Sequence, residues 1–239
     1  MGRCMAYLLK GVSEVMINSR DFRQAKKVAR KIGVKACSFE DLSNSDIIIA
    51  TVPSEILLEV AKKAFQIMKE GSLFVDVSSV KCGIIEEIAN LLPPKLEYIS
   101  LHPLFASPRV KIKNVIMIPI NAKNWNERLE ELLIKAGMRV GKCSAEEHDK
   151  IMAAYQVAHH FTYLSLKETL KKMNFENMQE IFITHSLRKT LAVLRLIERN
   201  IKTVEEIQRM NKFASIARRI FIQEAKRLDE SYSSWRQIK

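Results

Sequence analysis

Two spacings of apolar residues divide this chain. Up to about Lys142, short β-branched apolar runs alternate with stretches whose apolar positions recur every three or four residues. The first pattern belongs to buried strands and the second to helices with one buried face. Glu14–Asn18 reads as a strand. Asp21 to Ile32 reads as a helix, with Asp21 as its N-cap and Gly33 just past its end. Ser45–Val52 reads as a buried strand, and Pro53 opens the next helix in its first turn. Further strands are expected at Leu73–Val77, Glu97–His102, Val115–Pro119 and Met138–Val140. Such alternation predicts an α/β fold with a doubly wound, mainly parallel sheet.

After Lys142 the strand pattern stops. Ser144-Ala-Glu-Glu147 matches a capping box, in which Ser144 and Glu147 satisfy each other's backbone N–H groups. No Gly or Pro follows before Met173, which predicts one helix of about 28 residues, roughly 42 Å long. Two more helices are expected near Met178–Arg199 and Val204–Asp229. The pattern therefore gives two domains, 1–143 and 144–239. The second is thin for an independent core, so its helices are expected to bury apolar faces against a second subunit.

Composition narrows the classes. The 39 basic residues exceed the 27 acidic ones, a net charge of +12. That balance suits anionic partners. The charges alternate in sign along helical patterns without a block of five, so solvated helix faces are expected rather than a nucleic-acid surface. The most apolar run, Ile47–Val52, is far too short to span a bilayer. Cys4, Cys37, Cys82 and Cys143 are widely spaced, which fits reduced thiols in a cytoplasmic protein rather than a metal or disulfide framework. No metal spacing is present among the histidines.

The N-terminus resembles part of a dinucleotide-binding unit, in which a strand, a glycine-rich turn and a helix form the pyrophosphate site. Gly2 stands as the last glycine, with the helix running to Gly11, but the first strand and two earlier glycines are absent. That strand normally sits at the sheet centre, so two strand edges are expected to be left unpaired and the site half built. After the next strand, Ser19 stands where an acid would hold the ribose hydroxyls of NAD, and Arg20 follows. A hydroxyl with a guanidinium suits a 2′-phosphate, so NADP is favoured over NAD.

Four motifs in register carry a family resemblance: Asp76-Val-Ser-Ser79-Val-Lys81, Leu101-His102-Pro-Leu-Phe105, Glu147-His148-Asp149, and Gln156-Val-Ala-His-His160-Phe161. Together they resemble the prephenate dehydrogenases of tyrosine biosynthesis from Gly2 to about Asn200. The resemblance implies a Rossmann-type domain, a helical substrate and dimerisation domain, and NAD(P)-dependent oxidative decarboxylation of prephenate to 4-hydroxyphenylpyruvate. It implies His102 as the catalytic base and Ser79 as its hydrogen-bonding partner near the cofactor. Arg195 would bind a substrate carboxylate, with Arg188 as rival or helper, and Gln156 and His160 would face the substrate from one side of a helix. Gly2, Ser19, Arg20, Thr51, Pro53 and Ser79 would meet the cofactor. Lys81 could meet ligand charge or simply begin a helix, and His148 reads as structural. Alternatives are an arogenate or related acid dehydrogenase, and a non-catalytic truncated relic that only dimerises.

Overall fold

The computed structural model describes residues 1–174 and 180–235, and the chain divides into two compact units, Met1–Ala145 and Glu146–Lys239. The first begins with α1 (Gly2–Leu9), β1 (Met16–Ile17), α2 (Phe22–Ile32), β2 (Lys35–Ala36) and β3 (Ile47–Ala50). It continues through α3 (Ser54–Ile67), β4 (Leu73–Asp76), α4 (Ile84–Leu91), β5 (Glu97–Pro103), β6 (Asn114–Asn121), α5 (Trp125–Lys135) and β7 (Arg139–Lys142). The boundaries of α2 follow local chemistry. Asp21 accepts from the backbone N–H groups of Arg23 and Gln24, and Gly33 closes the helix at φ 74°. Pro53 sits one position earlier than expected, as the N-cap of α3.

The strands form two sheets. One holds β1 and β2, and the other runs β3-β4-β5-β6-β7, parallel except for the β5–β6 pair. Among the described residues β1 pairs only with β2 and β3 only with β4, so both are edge strands. Alternation along the larger sheet feeds two cores. Leu73, Val75, Ile99 and Leu101 pack with Met5 and Leu9 of α1 and Leu129 and Leu133 of α5. Phe74, Tyr98 and Ile118 pack with Leu57 and Ala61 of α3 and Ile85 and Ile88 of α4. Helices therefore cover both faces, and every residue of β4 and β5 is buried.

The second unit is helical and more broken than its sequence suggests. α6 (Ala145–Met152) begins directly after Ser144, then winds into a π-helical segment, Ala153–Ala158, before α7 (His159–Lys172). The single long α-helix is thus interrupted at Gln156. A short 3₁₀ turn, Glu180–Phe182, precedes α8 (His185–Arg199), where Thr184 caps the helix by accepting from Leu187 N–H. The start of the expected 178–199 helix falls partly outside the described residues.

The last expected helix is two, α9 (Ile201–Met210) and α10 (Ala214–Trp235). Asn211 makes the break without Gly or Pro. Its side-chain carbonyl accepts from Phe213 N–H while its amide donates to the Asp149 carbonyl at 2.8 Å. Such local bonding competes with helix continuation.

Candidate active site

In the first unit the candidate residues gather at the C-terminal ends of the parallel strands. Ser19 and Arg20 follow β1, Thr51 and Pro53 follow β3, and Ser79 follows β4. Ligands of open α/β sheets bind at this edge. His102 lies inside β5, one residue from its end, paired in register with Ile116 of β6 and only 4% exposed. Ser79, three residues past β4, and His102, near the end of the neighbouring parallel strand β5, thus lie at the same sheet end.

At the start of α1 a Cβ added to Gly2 would lie 2.5 Å from Thr51 Oγ1. Only glycine permits this approach, which brings the helix N-terminus, with its free N–H groups, against the end of β3. Asp21 caps α2 through Oδ1. The exposed residues past the β1 end are Ser19, Arg20 and Asp21.

Behind His102 lies a buried network that its motif did not announce. Asp76 accepts from Tyr98 Oη at 2.8 Å and from Ser78 N–H at 2.8 Å. Lys81 Nζ donates to Ser100 Oγ at 2.7 Å and the Leu101 carbonyl at 2.8 Å, and stands 3.6 Å from Asp76 Oδ1. Burial alone would raise the Asp76 carboxyl, but the Lys81 charge and the Ser100 and Ser78 donors outweigh it and hold it below its ordinary range. Burial and the Asp76 charge push the Tyr98 phenol strongly upward. Lys81 is fully buried in this network, which corrects the idea that it meets ligand charge or opens a helix; α4 starts at Ile84. The missed signal was strand alternation: Tyr98, Ser100 and His102 share one face of β5.

In the second unit, Gln156 and His160 sit one turn apart where the π-helical segment meets α7. Gln156 Oε1 and His160 Nδ1 are buried without a hydrogen-bond partner, two of three such atoms among the described residues; the third is Asn126 Oδ1 in the first turn of α5. Buried polar atoms are nearly always paired, and π-helical turns are frequent at functional sites. Burial, with His159 beside it, lowers the His160 imidazole to about 4, so this ring is neutral at neutral pH. The ring of His159, absent from the sequence-derived set, lies 5.5 Å from that of His160 and 4.9 Å from that of Tyr163.

Arg195 and Arg188 are both exposed on α8. Arg188 pairs with Glu180 at 2.9 Å, whereas Arg195 has no ion pair among the described residues. His148 is fully buried, its Nδ1 2.8 Å from Asp149 Oδ1. No cluster of three or more His, Cys, Asp or Glu suited to a metal occurs among the described residues. Nor is any described helix long and apolar enough to cross a membrane.

Comparison with known proteins agrees with this arrangement. Residues 6–140 match the prephenate dehydrogenase nucleotide-binding domain, and residues 144–237 match the prephenate dehydrogenase dimerization domain. A Methanocaldococcus jannaschii protein named "Probable arogenate/prephenate dehydrogenase" is 27% identical over 240 residues, covering 96% of this chain and 54% of that protein. A 4-amino-4-deoxyprephenate dehydrogenase of Streptomyces pristinaespiralis is 28% identical over 125 residues, 52% of this chain and 42% of that protein. The chain thus spans about half the length, or less, of these curated relatives.

Among solved structures, Aquifex aeolicus prephenate dehydrogenase, in complex with hydroxyphenyl propionate and NAD+, superposes with a TM-score of 0.83 at 20% identity. That match covers 99% of this chain and 88% of the other. Synechocystis arogenate dehydrogenase gives a TM-score of 0.77 at 17% identity, over 98% and 89% of the two chains. These likenesses show the fold. With both domain models matched in order along nearly the whole sequence, the chain belongs to the prephenate dehydrogenase family.

Proposed function

We propose that this chain is a nicotinamide-dependent dehydrogenase of tyrosine biosynthesis that oxidatively decarboxylates prephenate, with arogenate as the rival substrate. The observation that carries the reading is His102. A buried imidazole occupies the ligand-binding end of an open α/β sheet, on the strand beside the one that leads to Ser79. The names of the relatives support the substrate class, since they cover prephenate, arogenate and an amino analogue of prephenate.

Met1–Ala145 is proposed as the dinucleotide-binding domain and Glu146–Lys239 as the substrate and dimerisation domain. The close approach of Gly2 to Thr51 fits a dinucleotide, because it leaves a helix N-terminus bare of side chain where a pyrophosphate would need N–H donors. Gly2, Thr51, Pro53 and Ser79 would hold it, with Ser19 and Arg20 at its ribose. Ser19 and Arg20 offer a hydroxyl and a guanidinium at the β1 end, where an acid would otherwise hold the ribose, which favours NADP over NAD. When bound, the nicotinamide supplies the acceptor for the hydride that leaves the carbinol carbon.

His102 accepts the proton of the substrate hydroxyl, as a neutral imidazole can near neutral pH. Ser79 orients the ring. Arg195, which has no ion pair among the described residues, holds a substrate carboxylate through two parallel hydrogen bonds, and Arg188, already bonded to Glu180, assists. Gln156 and His160 bring two partnerless polar atoms to the substrate side. Loss of carbon dioxide aromatises the ring, which supplies the driving force without a further protein group.

The exposed apolar residues Ile216, Ile220, Leu228 and Tyr232 recur along α10 at multiples of four, and with the matched dimerization domain they support a homodimer. A second reading, a protein that dimerises without turnover, draws on the same exposed apolar face of α10. One assay separates them. The full chain is incubated with prephenate or arogenate and either NAD+ or NADP+, following reduced nicotinamide and identifying the aromatic product. Formation of 4-hydroxyphenylpyruvate from prephenate is the expected result. Tyrosine from arogenate alone would reassign the substrate, and no product with any pair would leave only the second reading.

A further inference from the structure

The buried Asp76–Lys81 pair takes no part in the proposed chemistry, yet it is built against the residue that does. β4 and β5 run in register only as far as Asp76 opposite Ser100. Beyond that point β4 leaves the ladder. The Leu101 carbonyl, one residue before His102, accepts instead from Lys81 Nζ at 2.8 Å. The same ammonium donates to Ser100 Oγ at 2.7 Å and to Ser78 Oγ at 3.3 Å.

Residues 100 and 102 project from one face of an extended strand, so the ammonium sits on the face of His102, one pleat behind it. Its other contact, Ser78, immediately precedes Ser79. Lys81 and Asp76 are both fully inaccessible to solvent. Burying a charge pair is a poor way to gain stability, since an apolar pair of similar volume serves as well or better. What such a pair does supply is a fixed spacing between the segments it joins.

We infer that Lys81 is a positioning residue for His102: its ammonium, seated against Asp76, ties the 78–79 turn to the last residues of β5 and fixes the spacing between Ser79 and the imidazole. This rests on the reading of His102 as the base. The test therefore has one arm that needs no turnover.

The full chain is compared with Lys81→Met and with Asp76→Asn/Lys81→Met, which removes both charges together. In the first arm the imidazole nitrogens are labelled and the His102 signal is assigned by its loss in His102→Asn. One sharp His102 signal is expected in the parent chain, and a broadened or split one in either variant. In the second arm, kcat on prephenate is expected to fall by about 10- to 100-fold, the scale of a sub-ångström to 1 Å misplacement, while KM and cofactor Kd stay within about twofold. Ser100→Ala keeps the charge pair and removes one anchor, so it gives the same changes at smaller amplitude where the Lys81 variants do not fold.

A folded variant with the parent's His102 signal overturns the inference. So does a fall of kcat and cofactor affinity by the same factor, which marks general loss of structure. Absence of turnover in the parent chain would instead count against the proposed function, and the imidazole signal would still decide the role of Lys81.

Discussion

The two units treat buried polar groups in opposite ways. In the first, Asp76, Lys81, Ser78, Tyr98 and Ser100 sit deep beneath the sheet end, and each has its partners within the unit. In the second, Gln156 Oε1 and His160 Nδ1 are buried with none. A satisfied network specifies a geometry, because every member restrains its neighbours. Orphaned polar atoms cost stability and are retained where something else bonds them. Under the proposed function, the contrast fits a first unit that holds the base rigid and a second that meets a polar substrate.

The contrast can be broken at several points. The largest effect is expected at His102: His102→Asn should cut kcat by about 10²- to 10⁴-fold, with cofactor Kd nearly unchanged in a binding titration. An equal loss of both would remove its role as base. Arg195→Ala should raise the KM for prephenate by at least about tenfold with kcat little altered, since an anchoring charge acts equally on ground and transition states. An unchanged KM would move the anchor to Arg188.

Next comes a trade at the helical site. His160→Leu should raise the KM about tenfold and yet raise stability by about 1 kcal/mol in urea melts, because it removes a buried unpaired nitrogen. Lower stability would show that Nδ1 is satisfied in solution.

The same ring gives a pH effect. Its folded value near 4 lies below the unfolded value of about 6.5, so only the unfolded chain gains a proton between them. Its contribution to stability is level above about pH 6.5 and declines as the pH falls toward 4. His160→Leu should flatten that part of the stability profile. The smallest effect is at Arg20, where Arg20→Ala should weaken NADP severalfold and spare NAD; an unaltered preference would remove the cofactor argument.

Much of the first unit was legible in the sequence because its signals are local. Asp21 and Gly33 bound α2, and continuous apolar runs mark β3, β4 and β5 at or near their observed positions. The helical unit was less legible. Nothing in the composition of 153–158 marks a π-helical turn, and Asn211 splits the last helix through a bond to the Asp149 carbonyl, 62 residues away in sequence. Among the proposed site residues, His102, Ser79, Gln156 and His160 were singled out through their motifs. Lys81 was singled out with the wrong surroundings, because whether a lysine faces a ligand or a buried carboxylate depends on the register of β4 against β5.

The most direct measurement is a titration of prephenate into the cofactor-loaded chain, following the imidazole signals of His160 and His102. The account predicts a saturable shift of the His160 signal whose dissociation constant matches that found from turnover kinetics, with the His102 signal remaining single throughout. Turnover of prephenate without any change at His160 would contradict it, because the partnerless atoms of the helical unit would then have no part in holding the substrate.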